Sequence, residues 1–276
     1  MNLDTIREVK RPASTDEIRQ WHDGYAWLGG GTWLFSELQP AVHTLIDLHQ
    51  LNWPALQASD EGLEIAATCR IAELYEFAGP ADWRAQALIQ ECCDSFLASF
   101  KIWNAATIGG NICMSLPAGP MISLTSGLEG RLTLWPRTGE PRQVSVGDFV
   151  TGVHANLLQP GELIRSVHLP AAALKKRAAF RHASLTHLGR SAALIIGTQS
   201  DAGELLITIT AATPRPIQLR FAAPPSAREL RDVIDATLAP EAYFDDVHGN
   251  AAYKRHLTYY FCEQIRAELA GGGAKS

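Results

Sequence analysis

Two stretches of this chain combine glycines with hydroxyl and amide side chains, a set of groups suited to holding an anion without a formal positive charge. The first is Gly29-Gly30-Gly31-Thr32, which follows the short apolar run Tyr25-Ala26-Trp27-Leu28. Glycine frees φ and removes Cβ atoms, so successive backbone N–H groups can converge on one oxyanion, and the threonine adds a hydroxyl donor. Taken alone, such a stretch is ordinarily a tight turn with close packing. It is not a Walker A loop, because no Lys-Ser or Lys-Thr follows at the required spacing. Nor is it the G-x-G-x-x-G dinucleotide fingerprint, since Leu34 stands where the third glycine belongs. The second stretch, Thr107-Ile108-Gly109-Gly110-Asn111, carries the same kit of hydroxyl, glycines and amide. Two such loops flanking a diphosphate would hold it through backbone and hydroxyl dipoles, and the absence of Lys and Arg from both agrees with that mode. The pair predicts a bound dinucleotide.

The other reactive side chains point to nothing comparable. Cys69, Cys92, Cys93, Cys113 and Cys262 are odd in number and contain no C-x-x-C pair. No disulfide framework, zinc site or iron–sulfur cluster is therefore expected on this chain, and a reducing, cytoplasmic compartment is the natural one. Cys92-Cys93 reads as helix packing and Cys113 as a buried inert thiol. His43 and His49 share no metal-ligand pattern with another ligand, and Ser36 lacks the G-x-S-x-G setting of a hydrolase. Lys plus Arg is 24 against 29 Asp plus Glu, a net charge of -5, without the basic surplus that a nucleic-acid binder needs. No apolar run approaches the roughly 18 residues that span a bilayer. The start, Met1 to Thr5, has neither the basic nor the apolar region of a signal peptide.

The elements that must position the two glycine stretches are legible from periodicity. With 276 residues, 46% hydrophobic and 19% charged, the chain reads as a folded protein of about two domains. Ser14-Thr15-Asp16-Glu17 is a capping-box pattern that opens a short helix through Trp21. Residues 25–28 and 44–48 read as strands around the first glycine turn, with a few helical residues from Leu34 to Leu38, a β-α-β unit of about 50 residues. A strand over 63–67 follows, with helices over 70–77 and 85–96; the second glycine turn then precedes strands at 132–135, 143–146 and 163–169. Pro170 and the alanine-rich basic stretch to Arg177 look like a linker. Strands over 178–184, 192–197 and 205–211 come next. Helices over 227–238 and 251–269 close the chain, the last with Tyr253, Leu257, Phe261, Ile265 and Leu269 four apart. The class is α+β.

Four segments together resemble the FAD-binding subunit of the molybdenum hydroxylases, the xanthine dehydrogenase and carbon monoxide dehydrogenase family. They are Leu28 to Leu34, Ala106 to Cys113, Gly161-Glu162-Leu163-Ile164 leading to Leu169-Pro170, and Thr213-Pro214-Arg215-Pro216-Ile217. The resemblance implies a two-part FAD-binding domain of the PCMH/VAO type over 1–173, with subdomains 1–57 and 58–173, and a smaller α+β C-terminal domain over 174–276. It implies that Trp27, Leu28, Gly29, Gly30, Gly31, Thr32, Trp33 and Leu34, with Thr107, Gly109, Gly110 and Asn111, cradle non-covalent FAD. Ile164, Leu97 and Arg181 would lie against the cofactor.

It also implies a small partner with 2Fe-2S clusters and a large partner with the molybdenum cofactor. Electrons would pass through this chain to NAD or another acceptor, and no catalytic acid, base or metal is required here. Two departures stand out. Pro120 occupies a position where many members carry an Asp, and the loop Leu185 to Arg190 lacks the acidic residues of several nicotinamide-using relatives. Trp103, between the loops, is a candidate for an exposed interface or for core. Two alternatives stay open. One is a stand-alone flavin reductase resembling UDP-N-acetylenolpyruvoylglucosamine reductase, and the other a non-catalytic assembly subunit that has lost FAD.

Overall fold

The computed structural model describes residues 4–18 and 20–271. Met1 to Leu3, and Arg19 within the expected first helix, lie outside the described residues. That helix is a single 3₁₀ turn, Thr15–Ile18. The first unit is a parallel three-stranded sheet of β1 (Glu8–Lys10), β2 (Tyr25–Leu28) and β3 (Thr44–Asp47), in the order β1-β3-β2. Parallel pairing needs a crossover between β2 and β3, and the glycine stretch opens it. Residues 32–36 of that crossover form turns where a short helix was expected.

The second unit begins with the hairpin β4 (Leu56–Ser59) and β5 (Gly62–Ala66). Five short helices follow: α1 (Ile71–Tyr75), α2 (Ala87–Asp94), α3 (Phe100–Trp103), α4 (Ile108–Cys113) and α5 (Pro120–Gly127). Next come β6 (Arg131–Trp135), β7 (Arg142–Ser145), α6 (Val146–Phe149), the small ribbon β8 (Val150–Gly152) and β9 (Ala155–Asn156), and the long strand β10 (Leu163–Pro170). The five-stranded sheet has the order β4-β5-β10-β6-β7, all antiparallel. The stretch expected to be a linker is instead packed. It forms α7 (Ala171–Leu174), where Leu174 is fully buried and its carbonyl accepts the Ala85 amide.

The third unit is an antiparallel meander of β11 (Arg177–Ser184), β12 (Ser191–Gln199), β13 (Leu205–Thr210) and β14 (Ile217–Phe221), with α8 (Ala227–Thr237) and α9 (Ala251–Ala270). Every residue of β12 is buried, so alternate side chains serve two cores. Ala193 and Ile195 pack towards α9, with Cys262, Ile265 and Leu269. Leu194 and Ile196 pack the other way, into the core of the second unit. The partner on that side is α5, whose eight residues are all buried. Its contacts with β12 are so close that a Cβ at Gly127 would lie 2.8 Å from Cγ2 of Ile196. The Ser123 hydroxyl also bonds that of Thr210 at 2.6 Å. A helix with no polar face must be covered all round, and the C-terminal sheet covers the side that the second unit leaves open.

Candidate functional site

The two glycine stretches face each other. A Cβ at Gly29 would lie 3.0 Å from Oγ1 of Thr107, and one at Gly30 would lie 1.8 Å from the carbonyl oxygen of Ala105. Beside this contact opens a cleft of about 650 Å³, within the roughly 300–1,000 Å³ of cofactor sites. Trp27, Leu28, Gly29, Gly30, Gly31, Thr32, Trp33 and Leu34 all line it, as do Leu97, Thr107, Gly110 and Asn111. Gly31 has φ +69°, a left-handed conformation that glycine adopts without strain. Among the described residues, the backbone N–H groups of Gly30, Gly31, Thr32, Trp33 and Leu34 donate no hydrogen bond. Five consecutive free donors at the wall of a cleft form the kind of backbone surface an anion requires.

The second stretch works differently from the turn expected of it. Thr107 is the N-cap of α4, and its hydroxyl accepts the Gly110 amide at 3.1 Å. The amides of Ile108 and Gly109 go to the carbonyls of Cys69 and Ala67. These N–H groups are committed within the protein, so the stretch offers the Thr107 hydroxyl proton, the Asn111 amide and an exposed face at Gly110 bare of side chain. Gly109 is buried behind the cleft, and a Cβ there would meet that of Ala67 at 2.5 Å. Asn111 accepts the Met121 amide through Oδ1 at 3.2 Å, which ties α4 to the start of α5. Pro120 opens α5 at its first turn, where a missing N–H costs nothing, and its side chain brings no polar contact to the cleft.

The remaining expected residues lie elsewhere. Ile164 is buried in the core of the second unit and does not line the cleft. The neighbouring Glu162, with a side chain 5% exposed, is bound by Arg142 at 2.7 and 3.0 Å, and that guanidinium holds its carboxyl below the usual glutamate range. The Glu162 carbonyl accepts the Trp27 indole N–H at 3.0 Å, so this segment anchors the strand that leads into the first glycine stretch. Arg181 turns away from the cleft, towards α9, where its guanidinium bonds Glu268 at 2.6 Å and Gln264 at 2.9 Å. Trp103 is half-buried against Tyr75, with its indole N–H on the Phe96 carbonyl; the exposed aromatic of α3 is Phe100.

The family model described as the FAD binding domain in molybdopterin dehydrogenase matches residues 5–172. The chain belongs to that family. Xanthine dehydrogenase 2 of Arabidopsis thaliana is 26% identical over 137 residues, 48% of this chain and 10% of that protein. This chain thus spans about a tenth of the length of the curated relatives it matches. Quinoline 2-oxidoreductase from Pseudomonas putida 86 has the same fold, with a TM-score of 0.76 at 18% identity, covering 96% of this chain and 97% of that one. So does a carbon monoxide dehydrogenase from Hydrogenophaga pseudoflava, with a TM-score of 0.76 at 20% identity, covering 94% and 96%.

In this flavoprotein family member, residues that the sequence gave no local reason to choose also reach the cleft. Arg190, Phe244, Asp246 and His248 come from the third unit. Asp246 holds the ammonium of Lys254 at 2.9 Å, and Lys254 is fully buried, with the Ala211 carbonyl at 3.3 Å. Through that cation α9 braces the 244–248 segment as one wall of the site. Cys113 also lines the cleft; burial pushes its thiol up to about 12, so it stays protonated at neutral pH.

Proposed function

We propose that this chain is the electron-transferring flavoprotein component of a molybdenum-containing hydroxylase complex in the cytoplasm. The observation that carries the reading is the run of five unbonded N–H groups, Gly30 to Leu34, along the cleft of a chain that belongs to an FAD-binding family. These donors would take the diphosphate of FAD. The Thr107 hydroxyl and the Asn111 amide would meet it from the other side, and the glycines would keep side chains out of the way. The third unit's 244–248 segment would cover the cleft from solvent. When bound, FAD supplies the two-electron redox chemistry, and this chain needs no acid, base or nucleophile of its own.

Residues 1–173 would form the FAD-binding part, in subdomains 1–57 and 58–173, and residues 174–276 the C-terminal domain. The molybdenum cofactor named for the H. pseudoflava relative and the 2Fe-2S clusters would sit on partner subunits. Electrons would then leave through this chain to NAD or another acceptor. A stand-alone reductase is less well supported, because the likeness to the two solved enzymes runs through the C-terminal unit as well.

The test is to purify the full chain, record its visible spectrum and precipitate it with acid. The expected outcome is a yellow protein whose colour passes into the supernatant as free FAD, since neither glycine stretch contains a His or Cys to tether the flavin. Co-expression with an iron–sulfur and a molybdenum subunit should yield a complex that oxidises a heterocycle or aldehyde. A colourless chain that takes up no FAD would reject the reading.

A further inference from the structure

A second concavity, of about 770 Å³, adjoins the cofactor cleft. Ser95 and Leu97 line both, so one thin wall separates them. Its charge is one-sided: Glu91 and Asp94 of α2 line it, and no Lys or Arg does among the described residues. The nearest cation on β11, Arg181, is taken up by Glu268. Leu185 and Leu188 form the other side and are 56% and 78% exposed. Between the two sides stands His182, whose Nε2 is buried with no hydrogen-bond partner among the described residues.

Resting on the flavoprotein reading above, we propose that this groove receives the electron acceptor and that the acceptor is an uncharged quinone rather than a nicotinamide dinucleotide. The position supplies the first reason. The groove shares Ser95 and Leu97 with the cofactor cleft, so an acceptor seated in it would stand one wall away from the cofactor. Charge supplies the second. A dinucleotide brings two phosphate charges that require cationic or free N–H partners, whereas this groove presents two carboxylates. Chemistry supplies the third. A quinone presents an apolar ring for Leu185 and Leu188, and carbonyl oxygens for an imidazole donor such as His182. Burial favours the neutral imidazole of His182, and its Nε2 is buried without a partner among the described residues, so a ring nitrogen is available to hydrogen-bond a quinone oxygen. The step balances. The two-electron-reduced cofactor loses two electrons and two protons, and the two carbonyl oxygens gain them as hydroxyls.

The experiment uses the full chain with its FAD content measured first, so that a failure to bind FAD is seen separately from a failure of the groove. Calorimetric titration compares a benzoquinone carrying a short alkyl tail with NADH. The quinone is expected to bind and NADH not to. Leu188→Asp, and independently Leu185→Asp, should weaken the quinone by roughly tenfold with FAD content unchanged. Glu91→Lys combined with Asp94→Lys should create NADH binding. Tighter binding of NADH than of quinone by the unaltered chain would overturn the proposal, and so would quinone affinity indifferent to both leucine changes. Loss of the quinone site once the iron–sulfur partner is bound would assign Leu185 and Leu188 to a subunit interface and overturn it as well.

Discussion

Gly30 lies against the backbone of Ala105: a methyl group on its Cα would sit 1.8 Å from the Ala105 carbonyl oxygen and 2.6 Å from its carbon. The glycine stretch of the first unit is thus pressed onto the chain that leads into α4, and the cleft is the space beside that contact. The missing side chain at Gly30 serves packing between backbones. At Gly110 it serves the cleft, because that residue is exposed and a Cβ would meet only Oγ1 of Thr107, at 3.0 Å.

The two glycines should therefore fail in different ways. Gly30→Ala forces backbone apart and should cost about 1–3 kcal/mol of stability, with cofactor lost as a consequence. Gly110→Val should leave the urea midpoint of the cofactor-free chain within about 1 kcal/mol of its starting stability, while the flavin-to-protein ratio falls steeply. Equal flavin content in Gly110→Val and the parent would remove the second stretch from the site.

Thr107 has two roles, and substitution should separate them. Thr107→Ala removes the cap of α4 and should cost about 1 kcal/mol in the cofactor-free chain. Loss of the same hydroxyl should weaken FAD binding by about 1 kcal/mol besides. Thr107→Ser keeps the oxygen and should restore both, as read by denaturation and by flavin fluorescence titration.

The pair of Glu162 and Arg142 should make stability depend on acid. The Glu162 carboxyl is held below its ordinary 4.5 chiefly by the Arg142 hydrogen bonds. In the window below 4.5 the native state therefore binds fewer protons than the unfolded chain. The stabilisation is full above that window and disappears as pH falls through the folded value. Arg142→Leu should cost about 1–2 kcal/mol at neutral pH, reduced by solvent screening at the partly exposed arginine, and should raise the pH of acid unfolding. Circular dichroism against pH measures the shift.

Lys254 is the charge that the fold can least spare. Lys254→Met leaves Asp246 without its cation and should destabilise the chain by about 3 kcal/mol. Because Asp246 belongs to the cleft wall, the FAD dissociation constant should also rise. Lys254→Met combined with Asp246→Asn should recover part of the stability, since no unpaired charge remains, but not the FAD affinity.

Local pattern carried much of the fold. Of the apolar stripe four apart, Leu257, Phe261, Ile265 and Leu269 lie on the buried face of α9, and Tyr253 at its start is half-buried. The strand expected over 132–135 lies in β6, with Leu132 and Leu134 buried. Such periods are properties of one element, so a sequence states them directly. The strand β1 escaped notice because three residues hold too short a pattern. The helix α5 escaped because a segment buried on every side has no polar face to set its period.

The site divides along the same line. Gly29 to Leu34 was legible as a site only together with Thr107 to Asn111, since one such glycine stretch alone is ordinarily a tight turn. What tertiary structure alone decided is which groups remain available once the chain has packed. The amides of Ile108 and Gly109 are consumed by carbonyls of residues 69 and 67. Arg181 is turned by its place on β11 towards Glu268 rather than the cleft. Arg190, Phe244, Asp246 and His248 reach the cleft only because α5 demands a cover and the C-terminal sheet supplies it. Residue types and spacing name the groups a chain possesses. Whether each is free to meet a ligand depends on partners distant in sequence, because hydrogen bonds and burial are settled between elements.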